Sequence, residues 1–473
     1  MQPAQGEDAD YPDRRRAWWL VLVLALAGVV SVIDRTLLSV VVDPVRADLG
    51  LSEVQIGLLQ GLAFGLFYAT VGVPLGLMVD RHSRRLIVIG GVGLWSAATL
   101  ASGFAQSFGE LFAARLLVGL GEAALSPAAI SAIADLFPPR ARGRPVSVFL
   151  LGQALASGLG ISVASLIADA AEAQRFAGLP VLAGLAPWRA VFVVCGVLGF
   201  GVVLAMLSTA EPRRRVDATR GSGLAQVRAS LGFLWRHGSI FVPLYLGFAS
   251  CFLASYGAAA WHPAMLLRAF EVTRADLAAV LGPMKLVFSA IGPVIGGLLV
   301  DRAMRRGDPL ARFRILALAP LFVLPLGLAT FAPGPMSAMF LVALGPTAVA
   351  AIGTTMLALL QSTVPADMRG FAVALTGFVN TFLAAALGPL LISVLTERVF
   401  GDPRLVGWSV TLVVVPALLG GTALFLVARR AVQRRVQDGS APETLMVEMR
   451  NAAATMAAGR APAAQRSSSS FSR

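Results

Sequence analysis

Ionisable residues are scarce in this chain of 473 residues. Asp, Glu, Lys and Arg together make up 14% of it, against about 25% in an average soluble domain. There are three histidines, two cysteines and a single lysine, Lys285. Cys195 and Cys251 fall inside separate apolar runs, so neither a disulfide nor a metal site is indicated. Three scattered histidines and no nucleophile–base spacing give no basis for an enzyme, and no catalytic residue, metal ligand or cofactor is assigned. No G-x-x-x-x-G-K-[ST] loop is present, which argues against ATP as a direct energy source. The first apolar run is too long for a signal peptide and lacks an A-x-A exit, so it is expected to stay.

What the chain has instead is apolar length. Hydrophobic residues make up 57% and the mean hydropathy is +0.76. Twelve runs approach or exceed the ~20 residues needed to cross a bilayer, the first at about 17–42 and the last at about 405–429. This predicts an all-α membrane protein of twelve transmembrane helices. The formal charge of +13 comes almost wholly from arginine, and the arginines follow topology. Arg14–Arg16, Arg81, Arg84, Arg85, Arg140, Arg142, Arg144, Arg213–Arg215, Arg302 and Arg429–Arg435 share one side, whereas the opposite loops hold few positives. The positive-inside rule then puts both termini in the cytoplasm. A basic face for reading nucleic acid is not what this pattern describes. The alanine- and arginine-rich composition resembles a high-GC bacterial chain, so a bacterial inner membrane is expected.

The connection from Glu211 to about Gly238 divides six runs from six. The expected organisation is a tail at 1–16, a six-helix bundle at 17–210, a linker at 211–238, a second bundle at 239–430 and a polar tail at 431–473. Leu224, Val227, Leu231 and Leu234 recur at helical spacing in the linker, which predicts a membrane-surface helix. The composition of the C-terminal tail, ending AAQRSSSSFSR, predicts disorder.

Two connections carry nearly the same word, GLMVDRHSRR at Gly76–Arg85 and GGLLVDRAMRR at Gly296–Arg306, and Asp80 and Asp301 are 221 residues apart. Such a repeat predicts two pseudo-symmetric six-helix bundles. The first copy resembles the G-x-L-x-D-R-x-x-R-R motif of the major facilitator superfamily, and the resemblance runs over about residues 15–435. Within that superfamily the chain is most similar to the spinster transporters, which carry sphingolipids or lysolipids. The likeness lies in IDRTLLSVVV, in LSEVQIGLLQGLAFGLFYATVGVPLGLMVDR and in RLLVGLGEAALSPAAISAIADLFPPRARG. WHPAMLLR and PADMRGFAVALTGFVN add to it. The antiporter pattern of helix 5 is half present, since GQALASGLG lacks its proline.

The resemblance implies alternating access around a central site dominated by helices 1, 4, 7 and 10. It implies a cytoplasmic gate at Gly76, Asp80, Arg81, Arg84, Arg85, Asp301 and Arg302, in which the carboxylate pairs with arginine to latch the outward-facing state. A carboxylate beside fixed guanidiniums has alternative partners and can bias a two-state equilibrium. The alternative is that the arginines only set topology, and the two roles are compatible. The implied substrate is amphiphilic or lipid-like and moved with proton coupling. A proton-driven organic-anion or drug carrier is the alternative, and a non-transporting receptor or scaffold a remote third. A monomer surrounded by membrane lipids is expected, with a small amphiphilic or anionic substrate and no nucleic-acid partner.

Charges inside a bilayer cost a few kcal/mol and mark function by default. Asp34 lies about 13 Å below the outer boundary of helix 1 and Arg115 about 10 Å below that of helix 4, so an Asp34–Arg115 pair is expected. Glu122, two turns beyond Arg115, is a second carboxylate for proton coupling. Arg115 would then alternate between carboxylate and substrate anion; the bland reading is a static ion pair. Arg35 points about 100° away from Asp34 and is free to meet a carboxylate of another helix or an anionic substrate. Lys285, at similar depth in the second half, either binds an anion or snorkels. Tyr68, Gln153, Tyr256, Trp261, His262, Gln361 and Asn380 are candidate cavity residues, or else interhelical glue.

Overall fold

The computed structural model describes residues 11–79, 81–214, 224–305 and 310–447. Among them twelve helices are long and apolar enough to cross a membrane, and no strand occurs. We number them spans 1 to 12: Arg14–Val40, Glu53–Gly72, Arg84–Ser102, Phe108–Leu136, Pro139–Glu172, Pro187–Leu207, Gly238–Ala269, Arg274–Arg302, Ala311–Phe331, Pro335–Thr363, Arg369–Phe400 and Pro403–Gln437. With an even number of spans, both ends and the connection after span 6 share one face, here the termini face. The other is the distal face.

Helix was dictated by the solvent: without water, each backbone N–H and C=O must be paired within its own segment. Departures from regular helix are local. Span 2 breaks at Gly61 and continues as Leu62–Val79, and span 4 is interrupted between Glu122 and Leu125. Span 11 contains π turns at Asn380–Ala385 and Leu395–Phe400. The connection after span 6 carries a helix at Leu224–Arg236, with Leu234 buried and Trp235 83% exposed.

Small residues decide where the two bundles touch. Spans 2 and 11 approach so closely at Gly61 that a Cβ there would lie 2.5 Å from the Ala386 carbonyl oxygen, and spans 5 and 8 meet at Gly158, whose Cβ would be 2.4 Å from the Gly282 oxygen. Further along the same stripe of span 2, a Cβ at Gly72 or Gly76 would meet nothing within 4 Å. The bundles are therefore pressed together on the distal side and part toward the termini face.

Candidate functional site: a central cavity with a buried charge cluster

The parted bundles enclose a cavity of about 400 Å³, within the range of small-molecule sites. Spans 1, 2, 4, 5, 7 and 11 line it. Arg35, Gln60, Arg115 and Gln153 supply polarity, Phe64 and Tyr68 an aromatic wall, and Tyr256 a phenol from the second bundle. Span 10 contributes none of the lining, contrary to expectation. Its place is taken by span 11, whose π turn presents Thr381 and Ala385. π turns inside helices are frequent at functional sites because they re-aim side chains.

Arg35 pairs with Glu122. Its Nε donates to Glu122 Oε2 at 2.7 Å, and Ser31 Oγ donates to the same oxygen at 2.7 Å. Ser31 and Arg35 are four residues apart on span 1, hence on one face, and Arg35 Nη2 also donates to Ser31 Oγ at 3.3 Å. The Glu122 side chain is sealed, at 0% exposure, whereas that of Arg35 is 31% exposed. The guanidinium lies 4.5 Å from the Phe64 ring centroid and 5.0 Å from that of Tyr68, within cation–π range. One cation thus faces a hidden carboxylate on one side and an aromatic-lined cavity on the other.

The expected Asp34–Arg115 carboxylate pair does not form. Rotation about span 1 turns the buried Asp34 side chain toward span 3, where Thr99 Oγ1 donates to Oδ2 at 3.3 Å. Arg115 Nη1 donates instead to the Asp34 backbone oxygen at 3.2 Å. Asp34 Oδ1, Glu122 Oε1 and Arg115 Nε have no hydrogen-bond partner among the described residues. Two carboxyls and two guanidiniums therefore share one interior with spare donors and acceptors, which is what a site with alternative pairings requires.

Other candidates sit elsewhere. Trp261 is fully buried and donates to the Pro389 oxygen at 2.9 Å, and His262 is buried with Nε2 3.0 Å from the Leu326 oxygen; neither lines the cavity. Their places in a tightly packed span leave them to satisfy backbone carbonyls. Gln361 is exposed two residues from the end of span 10. Asn380 is half-buried in the π turn and interacts with Tyr256, one residue from the lining Thr381. Lys285 is buried, close enough to act on His262, and makes no ion pair or hydrogen bond among the described residues; it does not line this cavity.

At the termini face Arg84 is buried between Asp135 and Glu211, and donates to the Pro212 oxygen at 2.6 Å. Arg85 caps span 6 through the Leu207 oxygen at 2.6 Å. Arg81, Asp301 and Arg302 are exposed; Gly76 stands on the open stripe, and Asp80 lies outside the described residues. Among the described residues no side-chain hydrogen bond or ion pair joins 17–210 to 239–430 at this face. Glu211 is held below the usual carboxylate range: burial pushes it up, but the Ser83 hydroxyl and the backbone N–H groups of Arg85 and Arg84 outweigh that.

Among the described residues the ion pairs between bundles are distal, while at mid-depth the Ser157 and Ser289 hydroxyls meet at 3.3 Å. Arg268 of span 7 reaches Asp43 at 2.6 Å and Glu53 at 2.9 Å, and Arg46 joins Glu53 at 2.8 Å. Arg274 pairs with Glu172 at 2.5 Å, and the Val54 N–H donates to Glu397 at 2.8 Å. Sequence reasoning missed this cluster, having noted only that the loops opposite the basic side hold few positives. The one usable signal was Glu53, a carboxylate at the first turn of an apolar run.

A family model described as Major Facilitator Superfamily matches residues 24–389. The chain is 29% identical over 446 residues to an MFS-type efflux pump of Mycolicibacterium smegmatis, covering 92% of this chain and 98% of that protein. It is also 29% identical over 478 residues to protein spinster homolog 1 of Homo sapiens, covering 92% and 87%. A crystal structure of a bacterial homolog of the human lysosomal transporter spinster, inward-facing and occupied, superposes with a TM-score of 0.72 at 22% identity, over 89% of this chain and 97% of that one. Twelve spans, a cavity between two bundles and the matched model agree: this integral membrane protein belongs to the major facilitator superfamily of transporters and is similar to its spinster members.

Proposed function

We propose that the protein is a proton-coupled secondary transporter whose substrate carries an anionic group on an apolar body, and that Arg35 exchanges Glu122 for that group. The observation that carries this is the single guanidinium shared between a sealed carboxylate and an aromatic-walled cavity. A buried charge is tolerated only while paired. When the substrate anion takes Arg35, Glu122 loses its counter-ion and takes up a proton; when the proton leaves, the pair re-forms and expels the anion. Asp34 and Arg115 supply a second carboxyl and guanidinium through which the proton is relayed or the charge balanced. The distal ion pairs hold the termini-open state, and rocking of the bundles breaks them. On this reading the termini face is cytoplasmic, the host membrane is a bacterial inner membrane, and the working unit is a monomer.

A cavity of about 400 Å³ is at the small end for ligands, which favours a compact organic anion. A lysolipid-like substrate would fit its head group beside Arg35 only with its tail in the gap between the bundles. The decisive experiment is transport in proteoliposomes under an imposed pH gradient, offering lysolipids and compact organic anions in parallel. Glu122→Gln and Asp34→Asn are each expected to lower pH-driven uptake at least about tenfold, a change of ~1.4 kcal/mol, while sparing substrate exchange without a gradient. Full pH-driven uptake by both variants would refute the coupling; uptake of anions but not lysolipids would decide the substrate class.

A further inference from the structure

A second cavity, of about 710 Å³, opens at the termini face of the first bundle, away from the transport site. It lies where span 1 begins, span 4 ends and span 5 begins. Its floor is apolar: Trp18 and Phe137 meet edge to face at 5.6 Å, with Ala17 and Leu136 buried beside them. Three guanidiniums rim it: Arg14, Arg140 and Arg144. All three residues are exposed, and none makes a hydrogen bond or ion pair among the described residues. Among the described residues no carboxylate lines the cavity, and the adjacent Asp135 is already paired with Arg84.

The rim is preset. Arg142, between the two loop arginines, spends its Nε on the Phe137 oxygen at 2.9 Å and so closes the turn that holds Arg140 and Arg144. Pro139 fixes the entry to that turn. Arginines needed only to bias topology have no reason to converge on one concavity. Elsewhere on this face Arg84, Arg85 and Arg435 are spent on carboxylates, carbonyls or hydroxyls.

We propose that this cavity binds the phosphate head group of an anionic membrane phospholipid. Guanidinium is matched to phosphate by its planar donor fork, and basic pockets between transmembrane helices are known to take such head groups. The apolar floor at the bilayer boundary favours a lipid over a free phosphate ester, because the ester leaves that floor uncovered.

The test is native mass spectrometry of the full chain in detergent, titrated with cardiolipin, with phosphatidylcholine and with glycerol phosphate. Wild type should bind cardiolipin most tightly. Each rim arginine removed should weaken it about fivefold, the equivalent of roughly 1 kcal/mol, and R14Q/R140Q/R144Q should abolish the preference over phosphatidylcholine. A control triple outside the cavity, R228Q/R430Q/R434Q, should stay within about twofold of wild type. Ala141→Trp, which fills the cavity and keeps every charge, should also lose the preference, and it decides the matter if the triple variant does not fold. Equal loss in the control triple, an unchanged preference in Ala141→Trp, or glycerol phosphate binding as tightly as cardiolipin would each overturn the proposal.

Discussion

The two bundles share an architecture and a repeated loop word, yet they divide the chemistry unequally. The first holds Asp34, Arg35, Arg115 and Glu122 within one interior, with unmatched donors and acceptors left over. In the second, Trp261 and His262 bond backbone oxygens, as does Tyr245 to Ala372 at 2.8 Å, and the buried Lys285 stands apart with no carboxylate paired to it among the described residues. Its contribution to the cavity is a wall of small residues with one phenol, Tyr256. Its strongest charge acts at the distal rim, where Arg268 grips two carboxylates of the first bundle. Symmetry of fold thus coexists with an unequal placement of charge, central in the first bundle and distal in the second; in the proposed mechanism the first binds and couples and the second closes.

The sharpest way to break this comparison is at Arg268. Arg268→Gln leaves Glu53, 3% exposed, with only Arg46. Losing a partner from a buried ion pair costs about 3–5 kcal/mol, and here that cost falls on the distal-closed state alone. Spin labels at positions 175 and 404, on exposed distal loops of the two bundles, should report a longer distance in the variant. An unchanged distance distribution would remove the closing role from the second bundle.

A somewhat smaller effect is expected at Arg35. Arg35→Gln strands Glu122 and should lower thermal stability by roughly 3 kcal/mol, the low end for a buried pair, because the guanidinium is already partly open to the cavity. The double variant R35Q/E122Q should recover most of that loss. If both singles and the double are equally destabilised, the pair is not energetically coupled and the first bundle loses its special status.

The smallest effect concerns Glu211, which ties the connection after span 6 to the start of span 3. Its carboxyl is held below the usual range, so its contribution is complete above the unfolded value, about 4.3, and is lost as pH falls through the lower folded value. The group is about a third exposed, which limits the contribution to under ~1 kcal/mol. Wild type and Glu211→Gln should therefore differ in melting temperature at pH 7 and converge under acid conditions. A constant difference down to pH 3 would show that the link is not ionic.

Much of the site was legible as composition and little as geometry. Asp34, Arg35, Arg115 and Glu122 announced themselves because a charge within an apolar run is costly enough to need a reason. Which charge meets which was not legible. Asp34 and Arg115 agree in depth, yet depth is one coordinate, and the rotation of span 1 gives Glu122 to Arg35 and Thr99 to Asp34. Gln361 and Trp261 failed as cavity residues for a similar reason: polarity and aromaticity carry no record of which side of a helix a neighbour covers. The π turn at Asn380–Ala385, which brings span 11 to the cavity in place of span 10, follows from hydrogen-bond register within the packed bundle.

By itself the amino-acid sequence determined the number of spans, the sharing of one face by both termini and the set of charges inside the bilayer, because solvation energy is paid residue by residue and reads directly from order along the chain. Tertiary structure alone decided the pairing of those charges, the distal ion-pair cluster and the basic cavity beside Trp18. Each of these depends on helices distant in sequence meeting at a particular rotation and height, and close packing at positions such as Gly61 and Gly158 sets both.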